Sequence, residues 1–215
     1  MARARKTTRG AATGPGRPRG SDGAETRRRI MVTAMKHVAE RGYARATLRE
    51  IAREAGLTGG TVFYYFPSKA ELVTATFTEL AEPVITQFRA AATVKTSFSE
   101  AYIAWLEAGV EVMKTYPHLA SFVAAIGVAG EVDPNLRALH DRANDAQHRL
   151  VADLVASGQR AGQFRDDLDS AAITDMLFAI MLGLTDLAAS TSADRFSAAM
   201  KAAAHLVDGT LIRRP

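Results

Sequence analysis

The sequence predicts an all-α protein of about nine helices: a three-helix helix–turn–helix head followed by a helical-bundle ligand-binding and dimerisation domain. Three observations carry this expectation. Apolar residues recur at helical spacing along most of the chain, and no stretch alternates in the manner of a strand. The breaks between periodic segments are Gly, Pro or polar clusters flanked by capping residues. The segment from Thr47 to Lys69, TLREIAREAGLTGGTVFYYFPSK, reads as two short capped helices joined by a tight turn.

In chain order, residues 1–22 hold almost no large apolar side chain, so a disordered basic arm is expected there. Within it, Gly16-Arg17-Pro18-Arg19-Gly20 resembles the core of an AT-hook, an extended Arg-Pro-Arg suited to a narrow minor groove. Arg17 and Arg19 are therefore candidate DNA contacts, with a non-specific phosphate tether as the alternative. The first helix should run from about Glu25 to Arg41 and end at Gly42, burying Ile30, Met31, Ala34, Met35 and Val38. Thr47 can cap the next helix, with Glu50 completing a capping box. Gly56 supplies the left-handed residue that ends it. Thr58 caps a second helix from Gly59 to Phe66, stopped by Pro67. Ser68 and Glu71 open a fourth helix, with Pro83 an expected kink. Further helices are expected over 83–92, 97–115, 118–129, 134–161, 170–190 and 193–212. The chain thus divides into an arm (1–22), a helix–turn–helix domain (23–68) and a ligand-binding and dimerisation domain (69–215).

The 215 residues include no cysteine, which excludes a disulfide framework or a cysteine-based metal site. The Arg-rich start is not followed by an apolar stretch of signal-peptide type, and the longest apolar run, 119–130, is short of the ~20 residues that span a bilayer. A cytoplasmic protein is the expectation. Charge is uneven. Residues 1–69 carry fifteen Lys or Arg against five Asp or Glu, a local charge of +10, while the remainder carries twelve against eighteen, a charge of −6. A basic head on an acidic body is the footprint of a polyanion-binding module, whose affinity should fall steeply with salt.

Arg29-Ile30, then Ala39-Glu40-Arg41-Gly42-Tyr43, then Thr47 through Lys69 and Leu72 resemble the DNA-binding head of the TetR/AcrR family; Gly60 through Lys69 is the most specific part. The resemblance covers roughly residues 25–75. It implies a homodimeric, all-helical transcriptional regulator, in most members a repressor released by a small molecule. By the same resemblance Lys69 matches a phosphate-contacting lysine, Tyr65 an aromatic that donates to the DNA backbone, Thr61 a recognition-helix contact and Arg49 a base-edge reader. Thr47 and Thr58 sit at helix N-termini, where backbone N–H groups favour phosphate. Tyr64 is an outward position able to touch bases or sugars. Two features depart from the family. Gly59 and Gly60 leave no side chain at the start of the recognition helix. Phe63 stands where tyrosine is common, leaving apolar contact with a thymine methyl or simple packing in the head. Direct readout is then sparse, and DNA shape shares the task.

In the body, Phe88, Phe98, Tyr102, Trp105, Leu106, Met113, Phe122 and Phe178 are large apolar groups that either line a ligand cavity or form plain core. His140 and Gln147 border the apolar face of their helix and could hydrogen-bond an effector, which the scarcity of charge predicts to be mostly hydrophobic. His140, Asn144 and His148 share a helix face but supply too few ligands for a closed metal site, so no metal and no cofactor is expected. Helix 170–190 is apolar nearly all round and 193–212 carries an apolar stripe. Ile173, Leu177, Ile180, Leu184, Phe196, Met200, Ala203 and Val207 are the candidate dimer surface, pairing as a four-helix interface. A two-fold dimer would set two recognition helices ~34–36 Å apart on a palindromic DNA operator. No nucleophile motif, phosphate loop or dinucleotide fingerprint is present, so an enzyme is not expected. The alternatives to a ligand-released repressor are an architectural DNA-binding protein without effector, which predicts a solid core in place of a cavity of several hundred Å³, and a transcriptional activator.

Overall fold

A computed structural model describes residues 19–91 and 97–209. Among these, every regular element is helical. They are α1 (Arg19–Arg41), α2 (Leu48–Glu54), α3 (Gly59–Tyr65), α4 (Lys69–Thr76), a π-helical turn (Phe77–Ala81), α5 (Glu82–Ala90), α6 (Phe98–Thr115), α7 (Leu119–Ala129), α8 (Pro134–Arg160), α9 (Ser170–Ser190) and α10 (Ala193–Val207). With α4, the π turn and α5 taken as one continuous rod, the helices among the described residues number nine, as the sequence predicts.

The starts of these helices are set locally. Thr47, Thr58, Ser68, Ser97, Asp169 and Ser192 each accept a backbone N–H with the side chain, and Asp133 does the same ahead of Pro134 in the first turn. Helix α1 differs from expectation by starting at Arg19 instead of about Glu25. Gly20 and Gly23 weaken a helix by about 1 kcal/mol each relative to Ala, but they do not terminate it.

Just before Pro83, where a kink is expected, the chain forms the π turn, and the Glu82 N–H bonds back to the Phe77 carbonyl. Proline lacks the donor for the regular ladder and its ring crowds the preceding turn, so the helix widens there. The hydroxyls of Thr76 and Thr78 also bond back, to the carbonyls of Leu72 (2.7 Å) and Thr74 (3.0 Å).

Three apolar clusters organise the interior. The head cluster joins Ile30, Met31 and Ala34 of α1 to Ile51, Val62, Phe66 and Leu72. A second joins Met35 and Val38, one turn further along α1, to Val73, Phe77, Phe122, Ile126, Leu136 and Leu139. The third lies between α6, α8, α9 and α10 around Tyr102, Trp105, Val151, Leu177 and Phe196. Helices α1 and α4 therefore belong to both head and body. Leu72 is buried in the first cluster and its neighbour Val73 in the second, which ties the head to the body through rigid helix.

Helix α9 is long and apolar enough, by length and composition alone, to cross a membrane. Counting apolar runs misses it because Thr174, Asp175, Thr185 and Asp186 interrupt the helix. It packs along α7, α8 and α10.

Candidate nucleic-acid interface and effector cavity

The α2–α3 turn is built as its residues dictate. Gly56 takes a φ of +66°. Its N–H bonds to the Arg53 carbonyl at 3.2 Å, and that of Leu57 to Ala52 at 2.8 Å. Thr47 Oγ1 accepts the Glu50 N–H at 3.2 Å and donates to the Glu50 carboxylate at 2.7 Å. Thr58 Oγ1 accepts the Thr61 N–H at 3.1 Å and lies 2.9 Å from the Thr61 hydroxyl, so those two side chains are tied to each other.

A polar brace absent from the sequence reading holds α2 on α1. His37 is 1 % exposed, with Nδ1 3.0 Å from Glu54 Oε2 and Nε2 3.6 Å from Glu50 Oε2. Lys36 reaches Glu54 at 2.6 Å and Arg41 reaches Glu50 at 3.4 Å. The hydrogen bond from Lys36, seconded by His37, holds the Glu54 carboxyl well below its ordinary value, at about 2. Arg27 forms a two-pronged ion pair with Glu79 of the π turn, the second prong at 2.7 Å, and its guanidinium lies 4.9 Å from the centre of the Phe66 ring. One side chain thus touches α1, the end of α3 and the π turn. No local pattern could have announced it, because Arg27 and Glu79 are far apart in sequence.

The outward surface of α3 is aromatic and bare. Phe63 is 55 % exposed and Tyr64 82 % exposed, so Phe63 is not packed in the head. A Cβ on Gly59 would meet nothing within 4 Å, and one on Gly60 only Thr58 Oγ1 at 3.9 Å. Packing therefore does not demand glycine at either position, and the backbone itself is open to approach. Thr47, Arg49 and Thr58 are exposed, and Thr61 is half-buried. Tyr65 turns away: its hydroxyl lies 3.5 Å from where a Cβ on Gly23 would stand. Lys69 donates to the Tyr43 carbonyl at 2.7 Å, sits 4.3 Å over the Tyr43 ring, and has its pKa lowered by partial burial. It closes the α1–α2 turn, donating also to the Ala44 carbonyl at 3.4 Å. Arg17 and the side chain of Arg19 lie outside the described residues.

In the body, an apolar cavity of about 100 Å³ opens between α5, α6, α7, α8, α9 and α10. Of the candidate ligand residues, Trp105, Leu106, Met113 and Gln147 line it. Phe98, Tyr102, Phe122, His140 and Phe178 do not, and the side chain of Phe88 lies outside the described residues. Phe98 packs against Phe164 at 4.7 Å, and Tyr102 donates to the Leu177 carbonyl at 3.1 Å, with burial pushing its hydroxyl up to about 12. Phe122 is completely buried beneath α1. His140 lies against Gly127 of α7, where a Cβ would come within 2.8 Å of its Nε2, and it bonds Asn144 at 3.3 Å. Phe178 is engaged by His148, which bonds Asp175 at 3.0 Å. Large apolar residues at helical spacing look alike whether they fill a core or line a void, so the sequence could not separate them. It missed Ile85, Gly109, Met181 and Thr185 at the lining.

The candidate dimer residues need the same correction. Ile173, Leu177, Phe196, Met200 and Ala203 are buried within the protomer, and Ile180, Leu184 and Val207 are half-buried. Leu184, Phe196 and Met200 line the cavity. The apolar side chains left exposed on these two helices are others: Met176 at 55 %, Leu182 at 41 % and Leu206 at 49 %. A helix apolar all round has two faces to bury, and the more hydrophobic one is spent on its own protomer.

Residues 30–76 match the family described as bacterial regulatory proteins, tetR family, and residues 114–211 match the C-terminal part of BetI-type transcriptional repressors. An uncharacterised helix–turn–helix-type transcriptional regulator of Mycobacterium tuberculosis is 26 % identical over 139 residues, 64 % of this chain and 62 % of the relative. The chain thus spans less than two thirds of that relative's length. The regulator TtgR of Pseudomonas putida is 45 % identical over 58 residues, 27 % of this chain and 28 % of its own. Among solved structures, a transcriptional regulator from Saccharomonospora viridis in complex with choline superposes with a TM-score of 0.72 at 23 % identity, covering 89 % of this chain and 100 % of that one. FadR from Bacillus subtilis in complex with stearoyl-CoA gives 0.68 at 17 %, covering 86 % and 99 %. At these identities the likeness is one of fold.

Proposed function

The chain belongs to the TetR/AcrR family of DNA-binding transcriptional regulators, and on that premise we propose that it is a homodimeric repressor released from a palindromic operator by a small, mostly hydrophobic effector. The observation that carries this reading is the capped α2–α3 pair, with Phe63 and Tyr64 facing outward from a basic head. Residues 23–68 read the major groove, the basic arm of residues 1–22 adds phosphate or minor-groove contact, and residues 69–215 bind effector and pair. The match of residues 114–211 to repressor C-terminal domains supports repression, and the exposed Met176 and Leu182 support pairing through α9. Such a protein works in the cytoplasm.

The route from effector to DNA is short. Ile85 of α5 lines the cavity, and the π turn joins α5 to α4. Arg27 clasps that turn from α1 beside Phe66 at the end of α3. An effector that prefers one setting of the α4–α5 rod shifts the spacing of the two heads, provided its affinity differs between the two settings. The modest cavity volume is the observation that favours the alternative, an architectural protein without effector. Fluorescence anisotropy with duplexes from the protein's own upstream region, at several salt concentrations, tests the reading. Sequence-selective binding with a steep salt slope is expected. A folded protein that ignores every duplex at moderate salt would overturn it.

A further inference from the structure

The cavity is lined mostly by apolar side chains, and its buried acceptor without a partner is on Gln147. Gln147 Oε1 is buried and has no hydrogen-bond partner among the described residues. The Thr185 hydroxyl, also on the lining, gives its hydrogen to the Met181 carbonyl at 3.0 Å and so has no donor left for a ligand. Among the described residues, no Asp, Glu, Lys, Arg or His lines the cavity. A charged ligand entering it loses its hydration and finds no counter-charge. A pure hydrocarbon leaves Oε1 desolvated and unsatisfied. Volume sets a third limit. About 100 Å³ is less than the roughly 150 Å³ of an apolar cavity known to take up benzene. Met113, Met181 and Met200 form much of the wall, however, and methionine's unbranched thioether adjusts to what it touches. Gly109 contributes room as well, because a Cβ there would stand 3.6 Å from the Met200 methyl.

Resting on the reading of this cavity as the effector site, we propose that the effector is an uncharged, single-ring-sized apolar molecule whose one hydroxyl or N–H group donates to Gln147 Oε1. The acceptor fixes which end enters first, the methionines fit the remainder, and the lack of a counter-charge works against a carboxylate.

Phenol, its isostere toluene, and benzoate separate these terms by isothermal titration calorimetry on the full chain. Phenol should bind, and benzoate at least tenfold more weakly. The phenol-to-toluene affinity ratio should fall at least tenfold in Gln147→Leu, with Gln147→Met as the second variant if the first does not fold. A ratio unchanged in both variants, or benzoate binding as tightly as phenol, overturns the inference while leaving the effector cavity in place. A different result marks failure of the cavity itself: no ring compound binds the folded protein, and Ala120→Phe, which fills the cavity wall, changes nothing in the titrations.

Discussion

Phe63 offers the sharpest test of how the head reads DNA. It is 55 % exposed on the outward face of α3, beside Tyr64 and two glycines that contribute only backbone. On the floor of the major groove the apolar group available to it is the thymine 5-methyl. A phenylalanine buries about 150–250 Å² when fully covered, so its exposed half amounts to roughly 100 Å². Complete burial at ~25 cal/mol per Å² contributes up to about 2.5 kcal/mol per head. The methyl group alone corresponds to about 0.8 kcal/mol, close to a fourfold change in affinity. An operator obtained by selection from random duplexes would be rebuilt with uracil replacing one thymine at a time, and anisotropy measured at fixed salt. At one thymine per half-site the wild-type protein should lose about fourfold. Phe63→Ala, a change outside the core, should bind more weakly overall and lose nothing further at that position. A uracil penalty that persists undiminished in Phe63→Ala would refute the contact, and so would a half-site with no sensitive thymine.

Glu54 sets an acid window. Its carboxyl is held at about 2 against an ordinary 4.5, so the stability it contributes is present above 4.5 and lost as pH falls toward 2. Glu54→Gln should flatten the fall of melting temperature over that window, followed by circular dichroism, and parallel curves for the two proteins would contradict the brace. Gly56→Ala forces a side chain into a φ of +66° and should destabilise by about 1–2 kcal/mol, read by calorimetry; an unchanged melting temperature would mean the turn relaxes. Leu182→Glu places charge on the exposed face of α9 and should give a folded monomer by sedimentation equilibrium. A persistent dimer would move the interface elsewhere.

The head was almost wholly legible in the sequence. Thr47, Gly56, Thr58, Ser68 and Pro67 each act on backbone within four residues, and the structure uses every one as its local chemistry demands. Helix ends in the body were legible for the same reason. What faces what was not. Phe122 and Trp105 are both large, apolar and at helical spacing, yet one is sealed beneath α1 and the other borders a void. His37 lies on a face that reads as ordinary amphipathic helix, and its role appears only once α2 brings two carboxylates to it.

By itself, then, the chain determined most helix boundaries, the start of α1 excepted, which segment forms the recognition pair, and that its first third is basic. Those properties arise from interactions between near neighbours, whose geometry is fixed once the helix is. The tertiary structure alone decided that Leu184, Phe196 and Met200 face inward and Met176 and Leu182 outward, that Gln147 is left facing an apolar cavity, and that Arg27 clasps Glu79. Each depends on the rotation of one packed helix relative to another, which close packing of the whole set fixes and no single helix encodes.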